Sequence, residues 1–167
     1  ISDLAPGARA HLAANRFEGN SGDAISVNHI SGTLMLVNNL MIDNHAAGVS
    51  VINSESNAVS LVHNTIVGNQ LGVDYIHDAG QVPHPVSTTA INNLIADNVD
   101  CAMAASGAIT VRITSNLFWT PGRTNLCGSG YEQVANIIAA PLLLNPAEGD
   151  YRLTPASPAV GAGTNAG

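Results

Sequence analysis

The chain has 167 residues, enough for one domain with a substantial core. Its apolar content of 46% excludes disorder, while only 10% of residues are charged and 4% aromatic, so small aliphatics and amides must carry the packing. The five basic residues are all arginine (Arg9, Arg16, Arg112, Arg123, Arg152) against twelve acids; a net charge of −7 with no basic run makes nucleic acid and anionic membrane poor partners.

In chain order, the first element is a strand in which Ala10 and Leu12 alternate with polar neighbours, and it leads into Asn15-Arg-Phe-Glu-Gly-Asn20. The same frame returns as Asn39-Leu-Met-Ile-Asp-Asn44, Asn64-Thr-Ile-Val-Gly-Asn69 and Asn93-Leu-Ile-Ala-Asp-Asn98, and Asn116-Leu-Phe-Trp-Thr-Pro121 continues it. The leading asparagines stand 24, 25, 29 and 23 residues apart. Two places after each comes Phe17, Met41, Ile66, Ile95 or Phe118, always large and apolar, as an inward position requires. Gly or Asp precedes the closing Asn in four of the five. Alternating apolar pairs precede the leading Asn (Leu34 and Leu36, Val59 and Leu61, Val111 and Ile113, more weakly Thr88 and Ala90). Others follow the closing one: Ile25 and Val27, Val49 and Val51, Val73 and Tyr75. Each repeat thus holds about three short strands, and a period-two pattern broken every few residues rules out a helical solenoid.

The expected architecture is all-β, a right-handed parallel β-helix of about five to six coils occupying residues 1–140, with the first coil incomplete. An asparagine ladder of Asn15, Asn39, Asn64, Asn93 and Asn116 should hold one corner, because Asn tolerates left-handed backbone and stacked amides hydrogen-bond along a row. A chain starting partway round a coil leaves an open parallel edge, to be covered by upstream coils, another chain or a short cap. The apolar stretch 134–144 is interrupted by Asn136 and Pro141 and is too short to cross a bilayer, so no membrane insertion is expected. Residues 141–167, with Pro141, Pro146, Pro155 and Pro158 and a Gly/Ala/Asn tail, read as a C-terminal cap and flexible exit.

Cys101 and Cys127 fit no zinc-ligand spacing, leaving a disulfide or two buried thiols. Their places, 8 and 11 residues after successive leading asparagines, favour the disulfide. The 29-residue interval carries the one sizeable insertion, residues 76–85. His77 and His84 with Asp74 or Asp78 are its candidate metal ligands, Ca²⁺ or another ion being the cofactor then implied. Tyr75 with His77 is a candidate acid/base pair, making Asp74, Tyr75, His77 and His84 the candidate catalytic set. Against this, an insertion of this kind is ordinarily an exposed turn with solvated histidines, and Tyr75 falls on the inward register.

These coil motifs resemble the bacterial secreted right-handed parallel β-helix proteins of the pectate-lyase-like superfold, over residues 8–138. The closing stretch, Pro141-Leu-Leu and Gly149-Asp-Tyr-Arg-Leu-Thr-Pro-Ala-Ser-Pro-Ala-Val-Gly-Ala-Gly163, is similar to the end of large bacterial surface proteins of this fold. That family usually has Asp where Gly161 stands. The resemblance implies a secreted or cell-surface protein, with polysaccharide as the ligand class. Lyases of the superfold use Lys or Arg beside a uronate carboxylate, and this chain has no Lys and one outward strand arginine in its middle coils, Arg112. Its hydrolases use clustered Asp, of which Asn98-Val-Asp100 is a faint echo. The favoured function is therefore a non-catalytic extracellular module (stalk, adhesin or carbohydrate-binding scaffold), the alternative a polysaccharide lyase or hydrolase acting on acidic glycans.

Overall fold

Three short strands per coil, each joined to its counterpart one coil away, build the observed architecture in a computed structural model that describes residues 1–2, 4–55, 58–77, 86–107 and 109–166. The first coil holds β1 (Arg9–Ala13), β2 (Arg16–Glu18) and β3 (Ile25–Asn28). The second holds β4 (Thr33–Val37), β5 (Leu40–Ile42) and β6 (Ala47–Ile52), and the third β7 (Val59–Val62), β8 (Thr65–Val67) and β9 (Leu71–His77). The fourth follows with β10 (Val86–Ile91), β11 (Leu94–Ala96) and β12 (Met103–Gly107), and the fifth with β13 (Ile109–Thr114), β14 (Leu117–Trp119) and β15 (Leu126–Gly128). Two further strands, β16 (Tyr131–Val134) and β17 (Ile137–Ile138), begin a sixth.

All three sheets are parallel. The first runs β1-β4-β7-β10-β13-β16, the second β2-β5-β8-β11-β14-β17, and the third β3-β6-β9-β12-β15. Register follows the repeat: Leu12 pairs with Leu36, Leu36 with Leu61, and Met41 with Ile66. Ser2 adds a single parallel bridge to Asn28. The core fills with the inward row of each sheet, including Leu36, Leu61 and Ile113 of the first, Met41, Ile66, Ile95 and Phe118 of the second, and Val49 and Val73 of the third. Burying each such side chain contributes about 1.5–3 kcal/mol.

Two asparagine ladders lock the corners on either side of the second sheet. In the first, Oδ1 of each Asn accepts both the backbone N–H and the side-chain amide of the Asn one coil earlier, from Asn15 through Asn39, Asn64, Asn93 and Asn116 to Asn136. The second repeats the pattern through Asn20, Asn44, Asn69 and Asn98. Beyond it Thr120 takes the corner, its N–H and hydroxyl both donating to Asn125 Oδ1.

The ladder asparagines do not take the left-handed backbone expected of them: it belongs to the preceding residue. Ala14, Asn38, His63, Asn92, Ser115 and Ala135 have φ between 51 and 57°, and Gly19, Asp43, Gly68 and Asp97 have positive φ before the second ladder, whereas no ladder Asn is among the described residues with positive φ. A left-handed residue reverses the chain so that the next side chain points into the coil, where its amide replaces the strand bonds that the bend interrupts. At Gly68 a Cβ would in addition displace the Asp43 carboxylate.

In the middle coils the second sheet is buried on both faces. Val67, Leu94, Ala96 and Leu117 point outward and are covered by Leu143, Tyr151, Leu153 and Ala159 of the C-terminal segment. This segment forms a strap along the side of the stack. It comprises β18 (Leu143–Asn145), a 3-10 turn (Pro146–Glu148) and β19 (Asp150–Leu153), which pairs antiparallel with β18. The Arg16 guanidinium lies 5.8 Å from the centre of the Tyr151 ring, tying the strap to the first coil. A disulfide between Cys101 and Cys127, with Cα atoms 6.2 Å apart, links the fourth and fifth coils.

Candidate functional site

Strand β9 carries three of the residues considered for catalysis and divides them between two environments. Successive side chains of a strand point to opposite faces, so Asp74 faces outward while Tyr75 and His77 face inward. Tyr75 is 0% and His77 3% exposed. The solvated histidine expected at the start of the insertion is thus a core residue. Burial pushes the Tyr75 phenol up to about 12, the neighbouring Thr88 hydroxyl acting weakly the other way. The approach of Tyr75 to Thr88 does not amount to a hydrogen bond: among the described residues neither hydroxyl, nor either ring nitrogen of His77, has a partner. The Asp74 carboxyl is held above the usual range, first by burial and then by the charge of Asp23. Asp78 and His84, named above as metal ligands and, for His84, as a catalytic candidate, lie outside the described residues. Among the described residues no group of three or more His, Cys, Asp or Glu side chains is placed to hold a metal ion.

A groove instead forms between the strap and the corner that joins the first and second sheets. One section, of about 290 Å³, is lined by Asn38, His63, Asn92 and Ser115 on the corner and by Tyr151, Leu153, Ala159 and Gly163 on the strap. The adjoining section, of about 350 Å³, shares Asn38, His63 and Tyr151 and adds residues 149–152 as its wall. The four corner residues are those with left-handed backbone, which turns their side chains out of the coil while the next residue turns in. Asn92 uses its amide on the strap itself: Nδ2 donates to the Thr164 carbonyl at 2.7 Å, and the Thr164 N–H donates to Asn92 Oδ1 at 2.9 Å.

Charge around the groove is neutralised in pairs. Arg152 donates through Nε and Nη2 to Asp150, which brings that carboxyl down to about 2. Arg16 donates to Glu18 at 2.6 Å, raising the guanidinium and lowering the carboxyl. The groove therefore meets a ligand chiefly with amides, an imidazole, hydroxyls and the Tyr151 ring, groups suited to neutral hydrogen-bonding partners.

The second ladder, Asn136 and the groove were not identified from the sequence, although part of the signal was present. Closing asparagines recur in the same frame as leading ones. Leu40 and Ile42, Leu94 and Ala96, and Leu117 and Trp119 make the second strand apolar at all three positions, which indicates burial on both faces. The corner row of Ala14, Asn38, His63, Asn92 and Ser115 has no shared chemistry to mark it. Comparison of the chain with protein-family models, with curated proteins and with solved structures finds no match.

Proposed function

We propose that this chain is a non-catalytic module of an extracellular β-helix surface protein of the pectate-lyase-like kind, a rigid stalk, adhesin or carbohydrate-binding scaffold. The observation that carries the reading is the pair of asparagine ladders, one unbroken from Asn15 to Asn136 and the other from Asn20 to Asn98, with the strap fastened across them. Such cross-bracing stiffens the stack along its length, which is what a stalk or adhesin repeat requires. The Cys101–Cys127 disulfide supports an oxidising compartment, and the net charge of −7 keeps such a surface soluble there. Bacterial origin rests on the resemblance of the coil and closing motifs alone.

The enzymatic alternative has less to support it, because a proton-abstracting pair must reach substrate and the Tyr75 and His77 rings are enclosed by the coil. The test is a panel of neutral and acidic polysaccharides, with and without Ca²⁺, followed by ultraviolet absorbance for unsaturated products, by reducing-end assay and by calorimetric titration. Binding without new chain ends is the expected result. Depolymerisation of any of these polymers by the purified chain overturns it.

A further inference from the structure

Asn92 recognises a polypeptide by its main chain alone. Its amide gives one donor and one acceptor to the same residue, Thr164, as a neighbouring strand would. Asn38 occupies the equivalent place two coils earlier. Like Asn92, it directly follows a strand of the first sheet and immediately precedes a ladder residue (Asn39), and it has φ 52° against 57° for Asn92. Both amides line the same groove, but that of Asn38 is exposed and no described residue holds it.

We propose that Asn38 is a second backbone clamp, which takes an extended segment of another polypeptide by its main chain and lays it along the groove beside β19. Two features argue for a polypeptide. The first is the precedent in the same groove, where the bound backbone is this chain's own. The second is β19, which pairs only with β18 among the described strands and whose residues 150–152 form the wall of the section that Asn38 lines. A strand edge beside an amide clamp is the arrangement by which sheets capture added strands.

The clamp reads main chain only: the clamped residue contributes its backbone, and its side chain is unconstrained by the amide.

The test uses the full chain and a synthetic hexapeptide, Gly-Ala-Gly-Thr-Asn-Ala, which copies residues 161–166. Titration is followed by backbone amide chemical shifts in the parent, in Asn38→Gly and in Asn92→Gly; glycine keeps the left-handed backbone while removing the amide. The expected result is saturable binding with shifts at Asn38, His63 and residues 149–152, weakened about tenfold in Asn38→Gly, the loss of roughly one good hydrogen-bonded group, and kept in Asn92→Gly. Absence of saturable binding, equal affinity in the parent and Asn38→Gly, or loss in Asn92→Gly alone, which would mean that the peptide only displaces the strap, overturns the proposal. Asn38-dependent binding of an oligosaccharide in place of the peptide overturns it as well.

Discussion

The side-chain oxygen of Asn64 accepts two hydrogen bonds from Asn39, one from its backbone N–H at 3.0 Å and one from its amide at 3.1 Å. In turn, the Asn64 amide donates to the Leu36 carbonyl and to Asn93 Oδ1. Replacing Asn64 by Leu therefore orphans groups on two neighbouring coils, each costing about 1–3 kcal/mol when buried. Asn64→Leu is expected to lower stability by about 2–5 kcal/mol in urea denaturation. Asn20→Leu, at the exposed end of the second ladder, should cost less than half as much.

The opposite outcome is expected at Tyr75. Its hydroxyl is enclosed without a hydrogen bond among the described residues, so the folded state bears a desolvation cost that phenylalanine avoids. Tyr75→Phe should be neutral or stabilising by up to about 1 kcal/mol. A loss of stability in the same denaturation experiment would show that the hydroxyl has a partner.

Much of this arrangement was legible in the sequence. The inward residues Met41, Ile66, Ile95 and Phe118 are large in every coil because they share one packed interior, and the ladder asparagines recur because each coil needs the same bonds from its neighbour. The groove was hidden because its residues do not repeat: Asn38, His63, Asn92 and Ser115 share a backbone conformation, which several side chains tolerate, and no common chemistry. The strap follows the last coil directly in sequence and folds back over earlier ones, and only the doubly apolar second strands announced that something must cover them.

The strap gives a third prediction. Leu153 and Tyr151 pack on Val67, Leu94 and Leu117, so truncating Leu153 to Ala removes part of the cover from an apolar face. The half-buried position should make the cost about 1–2 kcal/mol, below that of a fully enclosed leucine. Binding of a hydrophobic dye should increase in parallel; unchanged dye binding and stability would contradict the packing.

Reduction of the Cys101–Cys127 disulfide is expected to lower stability by about 3 kcal/mol, since it frees a loop spanning 26 residues of sequence in the unfolded chain. Because both cysteines lie in the fourth and fifth coils, amide exchange should accelerate there first and in the second coil least.

Asp74 sets a pH dependence. Its folded carboxyl titrates above the ordinary value of 3.8, so in the window just above that value the folded state holds the proton more often than the unfolded chain. Stability contributed by this group is present below the window and lost as pH rises through it. Asp74→Asn removes that loss. Its urea midpoint relative to the parent should therefore be more favourable at pH 7 than at pH 3, and a difference independent of pH would remove the assigned role of burial and Asp23.

The most direct test of the central claim is side-chain amide hydrogen exchange of the asparagines, resolved residue by residue by nuclear magnetic resonance. If the amides form continuous ladders inside the coils, the NH₂ groups of Asn39, Asn64, Asn93 and Asn116, and of Asn44 and Asn69, exchange far more slowly than that of exposed Asn38, with protection greatest in the middle coils. Uniformly fast exchange, with Asn64 indistinguishable from Asn38, would contradict the stacked-coil account.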